Sequence, residues 1–254
     1  MSLGTEYGLK GYKRGLQEGI PSLSAPVLSE LGCVLYLPLR TLPNGISPDL
    51  SGKGNHGTNH GAVLKNIGET YPLKWKNKII DVGGRAMSFD GVDDYVSVPD
   101  SDSLDITEEI TIEAWVYPTN VGSVDRNIVA KDCNSSYRFR IEGITRKLFL
   151  LINDGTLVAE IGENAVSENT WSHVVAKFVG SEQYVYLYIN SVLDKRASNG
   201  KSSIQPSGGV LLIGAYNPGT EIFNGLLSSV RIYNRALSAA EIKKHYELER
   251  VLFI

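Results

Sequence analysis

From residue 33 onward, apolar and polar residues alternate with a period of two through most of this chain. Val34 to Leu39 reads as a first buried strand. Met87 and Phe89 alternate with Ser88 and Asp90, and the alternation resumes from Tyr95 to Val98 after an Asp-Gly corner. In the next run Ile110, Ile112, Ala114 and Val116 share one face, and Glu109, Thr111, Glu113, Trp115 and Tyr117 share the other. Further strands are predicted over Asn127 to Lys131, Tyr137 to Glu142, Lys147 to Ile152, Trp171 to Val179, Tyr184 to Asn190, Val210 to Ala215 and Val230 to Tyr233. Gly, Asn, Asp and Pro separate them, and no helical spacing intervenes. This is the pattern of an antiparallel sandwich, not of alternating strand and helix units. One helix follows, because Ser238-Ala239-Ala240-Glu241 is a capping box and Ile242, His245 and Tyr246 fall on one face beyond it.

Residues 1–30 stand apart as an N-terminal arm or docking segment, ahead of a domain over 31–254. Gly4, Gly8, Gly11, Gly15 and Gly19 would form one stripe on a helix, yet each glycine costs a helix about 1 kcal/mol relative to alanine. The segment therefore reads either as an extended arm or as a docking element whose bare stripe admits another backbone. In the second case Tyr7, Leu9, Tyr12, Leu16 and Ile20 are its anchors, and an assembly partner is expected through residues 1–26. Asp49 to Thr58 is a polar glycine-rich loop without the G-x-x-x-x-G-K-[ST] spacing or a following helix, so it is not a nucleotide site. The stretch from Asn66 to Asp81 reads as an insertion-like excursion.

Composition narrows the partners. A net charge of −3 argues against nucleic acid, whose phosphates need a basic face. The first twenty residues lack the hydrophobic core of a signal peptide, and no apolar run is long enough to span a membrane. The two cysteines, Cys33 and Cys133, read as isolated thiols, although their spacing leaves a single bridge open.

Candidate chemistry concentrates at Asp90, Asp93 and Asp94, three carboxylates within five positions around Gly91. Such a corner is either a hydrogen-bonded turn or half of a hard-cation site. The histidines at 56, 60, 173 and 245 show no zinc spacing, and no G-x-S-x-G elbow precedes a helix.

Five stretches carry a family likeness: Asp49 to Gly57, Met87 to Val96, Ile110 to Pro118, Trp171 to Val174, and Gly225 through Val230 to Ser238. With these, the chain resembles the laminin-G-like, concanavalin-A-like lectin and glucanase modules of bacteria and viruses. The resemblance implies an all-β, two-sheet antiparallel jelly-roll sandwich with a short C-terminal helix. It also implies one calcium ion at a loop edge, with Asp49, Asn55, Asp90, Asp93 and Asp94 as candidate ligands, and glycan or protein partners. Retaining glucanases of this fold place E-x-D-x-E on one strand, so that two carboxylates flank a glycosidic bond. Here Thr111 replaces the central Asp between Glu109 and Glu113, and the Glu-Ala-Trp continuation matches the non-catalytic modules. Trp115, Trp171 and Tyr95 sit in the strand signatures and are expected in the core. Tyr71, Trp75, Tyr137 and Tyr216, in loops or at strand edges, are the expected ligand contacts, with Arg138, Asn217 and Glu221 as polar partners. The expected function is a non-catalytic module for attachment or recognition, displayed on a larger assembly such as a virion surface, decoration or tail protein. A stand-alone carbohydrate-binding lectin is the alternative, and a glycoside hydrolase ranks last.

Overall fold

The computed structural model describes residues 31–39, 44–67, 84–120 and 122–253, and the backbone of 72–75 and 78–81. In chain order its strands are β1 (Cys33–Leu37), β2 (Ile46–Ser47), β3 (Gly57–His60), β4 (Val63–Ile67), β5 (Pro72–Trp75), β6 (Lys78–Asp81), β7 (Gly84–Asp90), β8 (Tyr95–Val98) and β9 (Glu109–Pro118). Then come β10 (Arg126–Lys131), β11 (Tyr137–Ile141), β12 (Lys147–Asn153), β13 (Leu157–Ala165), β14 (Ser172–Val179), β15 (Tyr184–Ile189), β16 (Val192–Ser198), β17 (Leu211–Ile213) and β18 (Asn224–Tyr233). The helix α1 spans Ala239–Glu249. The first sheet runs β16-β15-β14-β9-β18-β7-β4, with β1 also paired to β18; the second runs β13-β12-β11-β10-β17-β8-β3-β2. All these pairings are antiparallel, so the expected two-sheet jelly-roll sandwich is what forms. The strands β5 and β6 pair as a separate hairpin.

Period-two alternation decides what lies between the sheets. From the first sheet, Ile110, Ile112, Ala114 and Val116 enter the core; from the second, Val96, Val98, Phe139, Ile141, Leu148, Leu150 and Ile152 do. Burying each of the larger aliphatic side chains contributes about 1.5–3 kcal/mol. Tyr137 shares the inward face of β11 with Phe139 and Ile141 and is fully buried, its hydroxyl donating to the Leu104 carbonyl at 3.1 Å. This corrects its expected role as a ligand contact: the alternation that sends Tyr137 inward sends Arg138 and Arg140 outward.

The outer face of the first sheet is buried as well. Thr111, Glu113 and Trp115 have no exposed surface, because the segment following β18 turns back over them and α1 lies across the strands. The capping box forms as expected, with Ser238 Oγ accepting from the Glu241 amide and the Glu241 side chain accepting from the Ser238 amide. Ile242 is buried, and Tyr246 stacks on Trp115 with ring centroids 5.7 Å apart. Trp171 packs there too, 4.8 Å from the Phe253 ring.

The sequence pattern predicts neither β2 to β6 nor β13 and β16. The edge strands β13 and β16 carry mixed, largely exposed side chains, so they lack a clear apolar face. They are joined across the sandwich by Asp194, whose carboxylate accepts from the backbone amides of Glu163 and Asn164 at 3.1 and 2.9 Å. The expected anchors Tyr7, Leu9, Tyr12, Leu16 and Ile20 lie outside the described residues.

Candidate functional site: a cleft on the outer face of the second sheet

On β8 the inward Val96 and Val98 leave Tyr95 and Ser97 pointing outward. The register sets His60 of β3 opposite Tyr95, and their rings stack with centroids 4.3 Å apart and planes 14° from parallel. His60 Nε2 lies 2.9 Å from Ser97 Oγ, which fixes the imidazole edge. Beneath this pair the outward Leu212 of β17 forms an apolar floor with Ala215 and Ile222. Tyr95 is therefore half-buried and faces outward, not into the core as the strand signature suggested.

The turn after β10 supplies one wall. Asp132 and Cys133 both hold positive φ, +48° and +56°, so the chain reverses sharply at the sheet surface. The Asp132 amide donates to the Val210 carbonyl at 2.9 Å, and its carboxylate accepts from Ser207 Oγ. A Cβ on Gly209 would fall 2.1 Å from Asp132 Cγ, so the carboxylate fits only because that residue is glycine. The Cys133 thiol donates to Asn217 Oδ1 at 2.7 Å, tying this turn to the tight turn at Asn217–Thr220. Burial raises the Cys133 pKa, and the neighbouring Asp132 charge raises it further. Together these groups, with Val210 and Pro218, enclose a cleft of about 300 Å³. That is at the lower end of the range of about 300–1,000 Å³ typical of small-ligand sites.

Beside the cleft, Arg138 organises a second polar cluster. Its Nε donates to Asn127 Oδ1 at 2.6 Å, it pairs with Glu221, and its guanidinium carbon stands 4.2 Å from the centre of the Tyr216 ring. Asn127 Nδ2 closes the network on Glu221 Oε2 at 2.9 Å. Burial lowers the Arg138 pKa, opposed by the charge of Glu221. The expected ligand contacts Arg138, Tyr216, Asn217 and Glu221 thus come together. Trp75 lies on β5 with only its backbone described, and Tyr71 lies outside the described residues. His60, Ser97, Asp132 and Cys133 were missed, because only the pairing of β3 with β8 and the turn after β10 bring them to one place.

The acidic corner forms between β7 and β8. Ligand oxygens of Asp90, Asp93 and Asp94 lie within 4.8 Å of one another. Asp90 Oδ1 accepts from the Val92 amide at 2.8 Å, and Asp94 Oδ2 accepts from the Asp90 amide at 2.9 Å. Burial raises the Asp94 pKa, and the charges of Asp90 and Asp93 add to it. Three carboxylates presenting only oxygen suit a hard cation, so this donor set fits calcium. Asp49 and Asn55 are held in a different network. Asp49 accepts from the amides of Tyr36, Ser51 and Asn55 at 2.9, 2.9 and 3.0 Å. Asn55 Nδ2 donates to the Val34 carbonyl at 2.7 Å and to Ser103 Oγ at 2.8 Å. These two residues shape the glycine-rich loop against β1, and the loop does not bring them into the Asp90 cluster.

The Glu109-x-Thr111-x-Glu113 row fastens the chain after β18. Glu109 Oε2 accepts from the Ala236 amide at 3.0 Å, and Thr111 Oγ1 donates to the Arg235 carbonyl at 2.8 Å. Glu113 meets Arg231 Nη1 at 3.2 Å, the Tyr233 hydroxyl at 3.3 Å and His245 Nδ1 at 3.1 Å. Burial by itself would raise the Glu113 pKa, but His245 and Arg231 outweigh it and hold the carboxyl well below its ordinary range. His173 Nε2 stands 3.6 Å from the same carboxylate, beyond hydrogen-bond reach. Cys33 and Cys133 are both free.

The sequence model of the concanavalin A-like lectin/glucanases superfamily, laminin G type, matches residues 90–243, and the chain belongs to that family. No curated protein matches the sequence. Among solved structures it is similar to the binding domain of a paraclostridial mosquitocidal protein, with a TM-score of 0.63 and 16% identity over 86% of this chain and 52% of that one. It is similar to the binding domain of botulinum neurotoxin serotype G, with a TM-score of 0.60 and 16% identity over 85% of this chain and 51% of that one. The ligand-binding domain of serotype D, solved in complex with N-acetylneuraminic acid, gives a TM-score of 0.59 and 15% identity over 88% of this chain and 52% of that one. The chain spans about half the length of each of these domains, and the likeness is one of fold.

Proposed function

We propose that the chain is a non-catalytic recognition module that binds a glycan at the cleft between Tyr95 and Asn217. The observation that carries this reading is the convergence there of a stacked aromatic pair, an apolar floor and a few fixed polar side chains on a rigid sheet. Sugar sites need that combination, because rings stack on a sugar's apolar face while amides and carboxylates meet its hydroxyls. The family and the binding domains that share the fold agree with it. A glycan array with the protein before and after alkylation of Cys133 tests the proposal. Cys33 is buried with its thiol pushed up to about 12, so alkylation is directed to Cys133 at the cleft wall. Binding should appear on the array and disappear on alkylation. Binding that survives alkylation would place the ligand elsewhere.

Calcium at Asp90, Asp93 and Asp94 is part of the same reading. The ion would supply positive charge to three crowded carboxylates and stiffen the corner between β7 and β8. Calcium titration by calorimetry should give one site in the protein and none in Asp93→Asn. We propose further that residues 1–26 attach the module to a larger assembly. Support comes from the glycine stripe and its interleaved aromatic and aliphatic residues. Removing residues 1–26 should leave a folded domain that no longer joins its assembly; an unfolded product would refute the attachment role.

A further inference from the structure

Resting on the cleft as the glycan site, we infer that its ligand is a neutral sugar, and that Asp132 is the residue that excludes acidic ones. Among the described residues neither lysine nor arginine lines the cleft, and Asp132 is the one carboxylate in its wall. Two cations on the adjoining strands β10 and β11 are already committed. Arg138 is paired with Glu221 and bonded to Asn127, and Lys131 is fully buried with Asp100 and the Gly209 carbonyl. A sugar carboxylate entering here would meet an uncompensated negative charge in a partly desolvated recess, where like-charge repulsion is poorly screened.

The same geometry offers a neutral ring what it needs. Ser207 Oγ donates to Asp132 Oδ2, while Oδ1 receives no hydrogen bond among the described residues. The Cys133 thiol occupies Asn217 Oδ1, while Asn217 Nδ2 donates to none of them. Two cleft-lining residues thus keep one carboxylate acceptor and one amide donor without a partner among the described residues, and a hydroxyl both donates and accepts. The His60–Tyr95 stack and Leu212 provide the apolar complement. Asp132 is held in place by Ser207 and by the space at Gly209, so its charge is a fixed feature of the wall.

The test uses the full chain and pairs of oligosaccharides that differ only in a terminal sialic acid, printed at equal density. The neutral member of each pair should bind more strongly, by on the order of tenfold. Asp132→Asn keeps the side-chain shape and tolerates the positive φ, so its melting curve should match that of the parent. Its preference should shrink to about threefold or less, since only the charge has gone. Equal or stronger binding of the sialylated members, lost on Cys133 alkylation, would overturn the neutral selectivity while leaving the cleft as the site. Silence toward both members of every pair would remove the glycan reading itself.

Discussion

Trp115 and Glu249 are joined by a hydrogen bond from the indole Nε1 to Oε2 at 2.9 Å, which links the middle of the first sheet to the last turn of α1. Glu249 also pairs with Arg231, and Arg231 reaches Glu113, so the helix is held by a chain of charges beneath a buried indole. The docking of α1 is therefore an electrostatic as well as an apolar contact, and Trp115 reports on it.

Acid should release this helix first. The carboxyls of Glu113 and Glu241 are both held below their ordinary value near 4.5, that of Glu241 at about 2 through Arg235 and the Ser238 cap. The docked state consequently binds fewer protons than the undocked one. Its stability is complete above about pH 4.5 and falls as pH drops through the depressed pKa values. Tryptophan fluorescence followed from pH 6 to about pH 2 should report the change over the lower half of that window. A flat signal down to about pH 2 would contradict the coupling.

Replacing Glu113 by Ala leaves Arg231 in the interior with one carboxylate fewer. The expected loss is about 3–5 kcal/mol in denaturant unfolding, the usual cost of breaking a buried pair from one side. Glu109→Ala, which removes a single contact to the Ala236 amide from a half-buried side chain, should cost about 1 kcal/mol. If the two variants unfold alike, the network does not carry the helix.

The cap of α1 provides a smaller and cleaner measure. Ser238→Ala removes the acceptor for the Glu241 amide and should cost about 1 kcal/mol without altering the sheet. Hydrogen exchange should then quicken in 239–249 and stay unchanged in β12.

How far the sequence disclosed this protein can be read from single residues. Ile110, Ile112, Ala114 and Val116 marked one face of β9 as core, and the structure places all four there. Their neighbours Thr111, Glu113 and Trp115 are equally buried, which no alternation pattern reveals, because their cover comes from residues more than a hundred positions later. The edge strands β13 and β16 escaped notice since edges need no continuous apolar face. In the candidate site, Arg138, Tyr216, Asn217 and Glu221 were legible as polar and aromatic residues at strand ends. His60 was not: it follows a glycine-rich loop, and only strand register sets it against Tyr95.

Gly225 tests the register of the first sheet. It holds φ at +133°, and a Cβ there would lie 2.1 Å from the Tyr117 carbonyl oxygen on the adjacent strand. Gly225→Ala should destabilise the fold by more than about 2 kcal/mol, since backbone against backbone has no rotamer to yield. A melting temperature within a degree of the parent would contradict this steric constraint between β9 and β18.

The place of β18 between β9 and β7 also sets an order of events. Emerging from the ribosome, the first sheet exists as two unconnected pieces, β9 with β14 to β16 and β7 with β4, until residues 224–233 are available to bridge them. Sheet completion thus waits on contacts spanning more than a hundred residues, the kind of closure that makes β-sandwiches fold in about milliseconds to seconds. During that delay the inner edges of β7 and β9 are open to other chains, so a nascent chain stalled before residue 224 is the form most exposed to misassembly.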